Sequence, residues 1–200
     1  MAGDSQNAIY AVRSLGIDPS NGRELFLKKN GEVTYTWDAN DRVFCGVDQP
    51  DYRGNINTMF MWKDLSVNLS FGYEWGGQQY NSTLISRVEN ADKKYNVDRR
   101  VYEDRWKEPG DRTFFKGINE TTATQATSRF VQDEATFTCQ NLNVTYDLKG
   151  NKWLKRNLGI QTLTLKGDIA DLFRISTIKQ ERGTSYPFSR QFSFTLSAMF

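Results

Sequence analysis

The segment R-Q-F-S-F-T-L-S-A-M-F, residues 190–200, decides the fold, because its apolar side chains fall on every second position. The apolar set is Phe192, Phe194, Leu196, Ala198 and Phe200. A β-strand points successive side chains to opposite faces, so this pattern predicts a strand with one apolar and one mostly polar face. Its length is close to the roughly ten residues with which a tilted strand crosses a bilayer.

A second stretch, residues 53–75, has the same two-residue period and predicts an antiparallel hairpin. If residues 63–64 form a tight turn, the apolar positions of both strands share one face without a register slip. We interpret that face as lipid-facing, with Ile56, Phe60, Trp62, Leu65, Val67, Leu69, Phe71, Tyr73 and Trp75. The same register places Arg53 opposite Glu74 on the polar face, as an ion pair that lines the lumen of a barrel.

Two further strands complete a predicted set of five. Residues 135–146 alternate in two halves of opposite parity, which a β-bulge near residues 139–141 reconciles. Residues 159–170 form the fourth strand, with Lys166 and Asp168 expected to face the lumen. In this strand and the last one, we expect these residues to face lipid: Leu163, Leu165, Ile169, Phe192, Phe194 and Leu196.

The connections between these strands alternate in length, as they do in outer-membrane barrels, where one side has short turns and the other long loops. The shorter connections are residues 63–64 and 147–158, which we assign to the periplasmic side. The longer ones are residues 76–134 and 171–188. Aromatic residues near the strand ends are typical of the girdles of such barrels: Trp62, Tyr73, Trp75 and Phe200.

The outer segments contain local structure of their own. Helical spacing predicts short helices within residues 83–90 and 97–106. The first fifty residues form another outer loop, with short strands at 24–28 and 33–37. Four aromatic residues of these segments could stack on a sugar or a peptide, or could instead pack the loops together: Tyr35, Trp37, Tyr80 and Trp106.

The composition excludes several classes of function. With 26 Lys and Arg against 24 Asp and Glu, the net charge of +2 lacks the excess that nucleic-acid binding requires. The longest apolar run, residues 59–62, is too short for a membrane helix. A membrane barrel remains open despite a mean hydropathy of −0.65, because alternation keeps that average low.

The residue types present give little support for catalysis or for metal binding. Histidine, the usual general base and commonest metal ligand, is absent. Cys45 and Cys139 have no zinc-type spacing, and sequence alone leaves a disulfide between them open. We therefore expect no cofactor, no metal site and no enzymatic activity.

Several segments, taken in order, resemble SusC/RagA-type TonB-dependent outer-membrane transporters. The resemblance spans essentially the whole chain, and the ordered set is more specific than any single piece. The segments are G-I-D-P-S-N-G-R-E-L-F (16–26), P-D-Y-R-G-N-I-N-T (50–58), W-K-D-L-S-V (62–67), Y-E-W-G-G-Q-Q-Y-N (73–81), R-W-K-E-P-G-D (105–111) and Y-P-F-S-R-Q-F-S-F-T-L (186–196).

This resemblance implies a 22-stranded barrel closed by an amino-terminal plug, which imports glycans or peptides with energy from TonB. It implies a SusD-like surface lipoprotein as partner and a Gram-negative, Bacteroidetes-like outer membrane as location. The assembly machinery of that membrane would read the terminal aromatic strand through Phe194, Leu196 and Phe200. Contact with TonB would be made only through the plug region, which this chain lacks.

The departures from the family define the expected fold class, an all-β, antiparallel transmembrane β-barrel segment. About five long membrane strands and extended outer loops make an incomplete barrel, because five strands cannot close around a plugged lumen. Neither a plug nor a signal peptide is recognisable after Met1. We expect residues 1–200 to be the carboxyl-terminal portion of a longer receptor, truncated or split, and not competent for transport alone.

A soluble β-sandwich that binds carbohydrate is the alternative, because alternating strands also occur in half-buried sheets. That module would fold without detergent and bind its ligand as an isolated chain.

Overall fold

A computed structural model of the protein describes residue 3 and residues 5–92, 94–179 and 190–200. These residues form two compact units. Unit 1 contains the described residues of 1–50, 76–134 and 178–185, and unit 2 those of 51–75, 135–177 and 186–200. Both units are built from antiparallel sheets, and the described residues form no closed barrel, which confirms the predicted all-β, incomplete-barrel class.

Nine strands are described, joined by short helices. The strands are β1 (Ala8–Ile17), β2 (Glu24–Leu27), β3 (Val33–Thr34), β4 (Arg42–Val47), β5 (Tyr52–Trp62), β6 (Leu65–Tyr80), β7 (Val131–Lys149), β8 (Thr162–Ser176) and β9 (Gln191–Met199). The α-helices are α1 (Ser82–Leu84), α2 (Arg100–Glu103) and α3 (Lys152–Leu158). A π-helical turn covers Ile85–Glu89, and 3₁₀ turns cover Ala39–Asp41 and Ser128–Phe130.

Strands β5 to β9 form one antiparallel sheet in chain order. The predicted register of its first hairpin is confirmed, with Trp62 opposite Leu65 and Arg53 opposite Glu74. The turn succeeds without glycine because Lys63 adopts the left-handed region itself, with φ of 53°. The last strand pairs along its described length with β8, from Gln191 opposite Ala170 to Met199 opposite Thr162.

The bulge predicted near residues 139–141 is confirmed, since the register of β7 with β8 shifts between Cys139 and Asn141, where Gln140 lies opposite two residues of β8. It brings Phe137 onto the same side as Phe71, where the two rings stack at 5.5 Å between centroids. Strand β8 is longer than predicted and runs to Ser176, so the loop expected from residue 171 begins later. Residues 180–188 of that loop lie outside the described residues.

The connection at residues 147–158 is not simply a loop, because it contains α3. The side chain of Asn151 caps the amino end of this helix by accepting hydrogen bonds from the backbone of Trp153 and Leu154. Gly159 ends it with φ of 68°, a left-handed conformation that glycine adopts at low cost. These two residues define the helix more clearly than its hydrophobic pattern does.

The long outer segment is shorter than predicted, because β6 continues to Tyr80 and β7 begins at Val131. The helix predicted within residues 83–90 is confirmed as α1 and the following π-helical turn. Of the helix predicted within residues 97–106, only the four residues of α2 are helical.

Residues 5–50 form a four-stranded antiparallel sheet in the order β3-β2-β1-β4, rather than an outer loop with a few short strands. The strands predicted at 24–28 and 33–37 are present as the shorter β2 and β3. The sequence analysis missed β1 and β4.

The hydrophobic core belongs to unit 1. Its central cluster is Leu84, Ile85, Val88, Val101, Phe115 and Phe130, against which Tyr80 and Ala91 pack. Unit 2 has no comparable core in its described part, where Cys139 and Leu154 are the buried hydrophobic residues. The apolar side chains of its sheet therefore gain little stabilisation from the chain itself.

Replacing Phe130 with alanine should destabilise unit 1 by about 3–5 kcal/mol, because the ring is fully buried and the cavity cannot collapse completely. Hydrogen exchange of the backbone at residues 84–89, followed by mass spectrometry, measures this locally. The matched control is Phe44→Ala, since Phe44 is exposed and contacts the edge of Tyr10. Its cost should be about 1 kcal/mol at most. Equal protection in the two variants would contradict the assignment of the core.

Candidate functional sites: a two-faced sheet and a charged pocket

One face of the unit 2 sheet is apolar and uncovered. Each residue predicted to face lipid is half-buried or exposed, with Phe192 at 69%, Phe194 at 74% and Phe60 at 60% of full exposure. Pairing aligns them across strands, as Ile169 opposite Phe192 illustrates. We call this side the apolar face; contiguous exposed patches of this kind mark sites of contact with another phase or molecule.

Aromatic residues occupy both ends of the apolar face. At one end Trp75 contacts Tyr52 and Tyr73, with ring centroids 5.5 and 5.0 Å apart. At the other end, by the same two-residue period, are Trp62, Tyr146 and Phe200. The ten residue steps from Tyr52 to Trp62 span about 33 Å along the strand, or about 25 Å for the usual tilt of a membrane strand. That is the height of the apolar band of a membrane barrel.

The opposite, polar face carries a chain of hydrogen bonds that crosses four strands. Asn68 donates to the side-chain oxygen of Asn143 at 3.3 Å, and Asn143 donates to Asp168. Ser193 donates to the other carboxylate oxygen of Asp168 at 3.5 Å. Lys166 lies 3.5 Å from the same carboxylate. The sequence analysis identified Asp168 and Lys166 but missed the amides between the strands.

The predicted ion pair of Arg53 and Glu74 also lies on the polar face, with Nε and Oε1 3.0 Å apart. All four residues predicted to line a lumen therefore share one face of one sheet. Whether that face borders water inside a barrel stays a prediction.

Within the residues that the structure describes, no helix is long and apolar enough to cross a membrane.

Unit 1 contains a second candidate region, built around the buried guanidinium of Arg129. Its Nε and Nη2 donate to both oxygens of Glu24 at 3.0 and 2.7 Å. Its Nη1 and Nη2 donate to both oxygens of Glu89 at 2.9 and 2.5 Å. All three side chains are at least 93% buried. Burial alone lowers the pKa of Arg129, but the two carboxylates outweigh it and raise that pKa.

Two more cations are buried nearby. Arg105 donates through Nη2 to the carbonyls of Val88 and Glu89, and among the described residues its Nε has no partner. Lys116 donates to the carbonyl of Thr122. Desolvation lowers the pKa of both side chains, because burial penalises their charged forms. The contacts of Arg105 join the segment before α2 to the segment after it.

A cavity of about 120 Å³ opens beside this cluster. Its lining comprises Arg23, Glu24, Phe26, Tyr35, Trp37, Lys116, Glu120, Thr122, Ala123, Thr124 and Gln125. Tyr35 and Trp37, two of the predicted contact residues, thus lie on one wall. The guanidinium of Arg23 stacks on Tyr35 at 4.8 Å, and the indole of Trp37 donates to the carbonyl of Ala126 at 3.0 Å. Both rings are held in place by the protein.

The other two predicted contact residues lie elsewhere. Trp106 donates to the carbonyl of Pro19 at 2.8 Å and packs on Gly22, where a Cβ atom would clash with the indole. Tyr80 is the last residue of β6, not a loop residue, and packs against the core. Trp106 and Tyr80 therefore connect elements of unit 1, which is the packing role that the sequence analysis left open.

Neither cysteine is in a disulfide: Cys45 is half-buried and Cys139 is buried. In the described part of the chain, no three His, Cys, Asp or Glu side chains are grouped so that they could hold a metal ion.

Comparison with known proteins identifies relatives by fold alone. No family model and no curated protein matches the sequence. A structure of the RagAB peptide transporter matches with a TM-score of 0.66 at 17% identity over 86% of this chain and 19% of that chain. The RagAB peptide importer in its "open-open" state gives 0.67 at 17% over 90% and 21%. Its "closed-closed" state gives 0.64 at 19% over 86% and 20%.

The chain thus spans about a fifth of the length of the transporter chains that it resembles. At these identities the likeness shows a related fold.

Replacing Arg129 with methionine should destabilise unit 1 by about 3–5 kcal/mol, because two buried carboxylates lose their counter-ion. Urea-dependent hydrogen exchange at residues 84–89 gives the change in free energy of unfolding. Arg87→Met is the control, since Arg87 is exposed. A loss of free energy of unfolding no larger than that of the Arg87→Met control would show that the Arg129 cluster contributes little to the stability of unit 1.

Proposed function

We propose that these 200 residues are the carboxyl-terminal barrel segment of a SusC/RagA-type, TonB-dependent transporter that imports glycans or peptides through the outer membrane. The uncovered apolar face of unit 2, bounded by aromatic residues at both ends, carries this proposal. Burying one large apolar side chain is worth about 2 kcal/mol, so a sheet with this many exposed ones is poorly suited to water. A lipid bilayer supplies the missing apolar environment.

The two faces then have different neighbours. The apolar face contacts lipid, while the polar face, with the chain from Asn68 to Ser193, lines the lumen. The end of the sheet with the 63–64 turn and α3 lies in the periplasm. The predicted outer loops, which belong to unit 1, would offer their pocket and aromatic side chains to substrate and to a SusD-like lipoprotein. The similarity of this chain's fold to that of a peptide transporter supports the proposed arrangement.

The edges of the sheet limit what the segment does alone. Within the described residues, β5 and β9 each have one side without a neighbouring strand. In lipid, each unpaired backbone group costs several kcal/mol, so both edges require further strands. The segment is therefore expected to transport nothing without the rest of the barrel and its plug, through which TonB acts. Strand β9 with Phe200 serves as the signal for the assembly machinery and pairs with the first strand of the barrel.

Cysteine labelling tests the proposal on matched positions of β6. In a Cys45→Ser background, Val67→Cys, Leu69→Cys and Phe71→Cys should react with a lipid-soluble maleimide after the chain is refolded into vesicles. The controls Ser66→Cys, Asn68→Cys and Ser70→Cys lie on the polar face and should react only with a water-soluble reagent. The expected difference between the two sets is at least about tenfold in rate, given the period of two.

Equal labelling of both sets by the aqueous reagent would overturn the proposal. So would a chain that stays monodisperse without detergent, which would instead support the soluble sugar-binding module.

A further inference from the structure

Helix α3 lies at the end of the sheet that carries the 63–64 turn, and the proposed transport gives it no role. Backbone hydrogen bonds tie this end together. Asp147 donates to the carbonyl of Asp64 at 2.8 Å, and Gln161 donates to the carbonyl of Met199 at 2.7 Å. The helix is thereby held beside the ends of β6, β7 and β9. We call this region the turn end.

The charge of this segment is one-sided although the chain as a whole is nearly balanced. Residues 148–161 contain four cationic residues and no acidic one. Lys149 pairs with Asp147 at 3.4 Å. Lys152, Lys155 and Arg156 are exposed, and none of them has a carboxylate partner within the part of the chain that the structure describes.

Apolar side chains are exposed on the same short helix. Trp153 keeps 63% of its surface and Leu158 52%, whereas Leu154 is buried and anchors the helix. Trp62 lies at the same end, 59% exposed, with the ammonium of Lys63 5.1 Å above its ring. Exposed Trp and Leu beside Lys and Arg are typical of helices that lie in the interface of a membrane.

We propose that α3 docks on the phosphate groups of anionic phospholipids in the leaflet at the turn end. Lys152, Lys155 and Arg156 contact the headgroups, and Trp153 and Leu158 reach the boundary with the acyl chains. A free helix of seven residues would not form or bind by itself. In this chain β7 and β8 flank α3 and hold it in place. Binding of the helix to lipid therefore adds to the membrane anchorage that the strands already provide. The inference rests on the proposed membrane-spanning function of unit 2.

The test places a nitrobenzoxadiazole probe on Asn157→Cys, in the Cys45→Ser background, in the full chain refolded into vesicles. Phosphatidylglycerol is titrated into phosphatidylcholine, and the emission of the probe and its access to the neutral quencher acrylamide are measured. Emission should rise and quenching should fall as phosphatidylglycerol increases. The variant Lys152→Gln/Lys155→Gln/Arg156→Gln should weaken the apparent affinity for phosphatidylglycerol by about fivefold per cation removed.

The matched control is Arg13→Gln/Arg87→Gln/Arg112→Gln, which removes three exposed cations of unit 1. It should leave the titration unchanged. Trp153→Ala should lower the plateau of emission at high phosphatidylglycerol while the dependence on charge remains.

Labelling of Val67→Cys by the lipid-soluble maleimide, in the same vesicles, separates the two proposals. If Val67→Cys reacts but the probe ignores phosphatidylglycerol, the docking of α3 is wrong and the membrane-spanning function stands. If the probe is shielded from acrylamide in pure phosphatidylcholine as well as it is with phosphatidylglycerol present, the requirement for anionic lipid is wrong. If Val67→Cys is not labelled, the membrane-spanning function fails and the docking of α3 fails with it.

Discussion

The strict two-residue period of β5, β6 and β9, and of β8 as far as Ala170, is the constraint on which unit 2 depends. Hydrogen bonds between neighbouring strands satisfy the backbone, so the sheet keeps its register without a core on either side. The period then sorts side chains into two populations, one that avoids water and one that forms polar contacts across the strands. A sheet organised in this way is defined as much by its surroundings as by its own packing.

Unit 1 is held together differently. Its long segments have little regular secondary structure, so side-chain contacts must fix them. A small hydrophobic cluster and the pairing of Arg129 with Glu24 and Glu89 join pieces of chain that are 105 and 40 residues apart. A buried pair of this kind is weak evidence of net stability, because desolvation offsets most of its attraction. Its geometry nevertheless selects one arrangement, because each carboxylate accepts two hydrogen bonds from one guanidinium.

The hairpin of β5 and β6 could be predicted residue by residue, because its alternation is local and its turn has two residues. The end of β8 could not, since Asp171 takes a φ of 51° and interrupts the pattern before Phe173 resumes it. The sequence analysis missed strand β1 because its pairings with both β2 and β4 shift register. For the Arg129 cluster, partners so distant in sequence leave no periodic signal. Sequence thus reveals the strands whose alternation is uninterrupted, as in the hairpin of β5 and β6, or is shifted once between two regular halves, as in β7.

The register shift at Gln140 has a consequence for how strand β7 can change in length. Gln140 has no partner in β8, and around it the strand switches from one alternation frame to the other. Deleting that single residue would place Cys139 and Leu142 two positions apart, so both halves of the strand would share one frame and Phe137 would stay on the side of Phe71. Deleting a residue at another point of the strand would instead turn every residue beyond it to the opposite face. Strand β7 can therefore lose one residue at this position and at no other without exchanging its two faces.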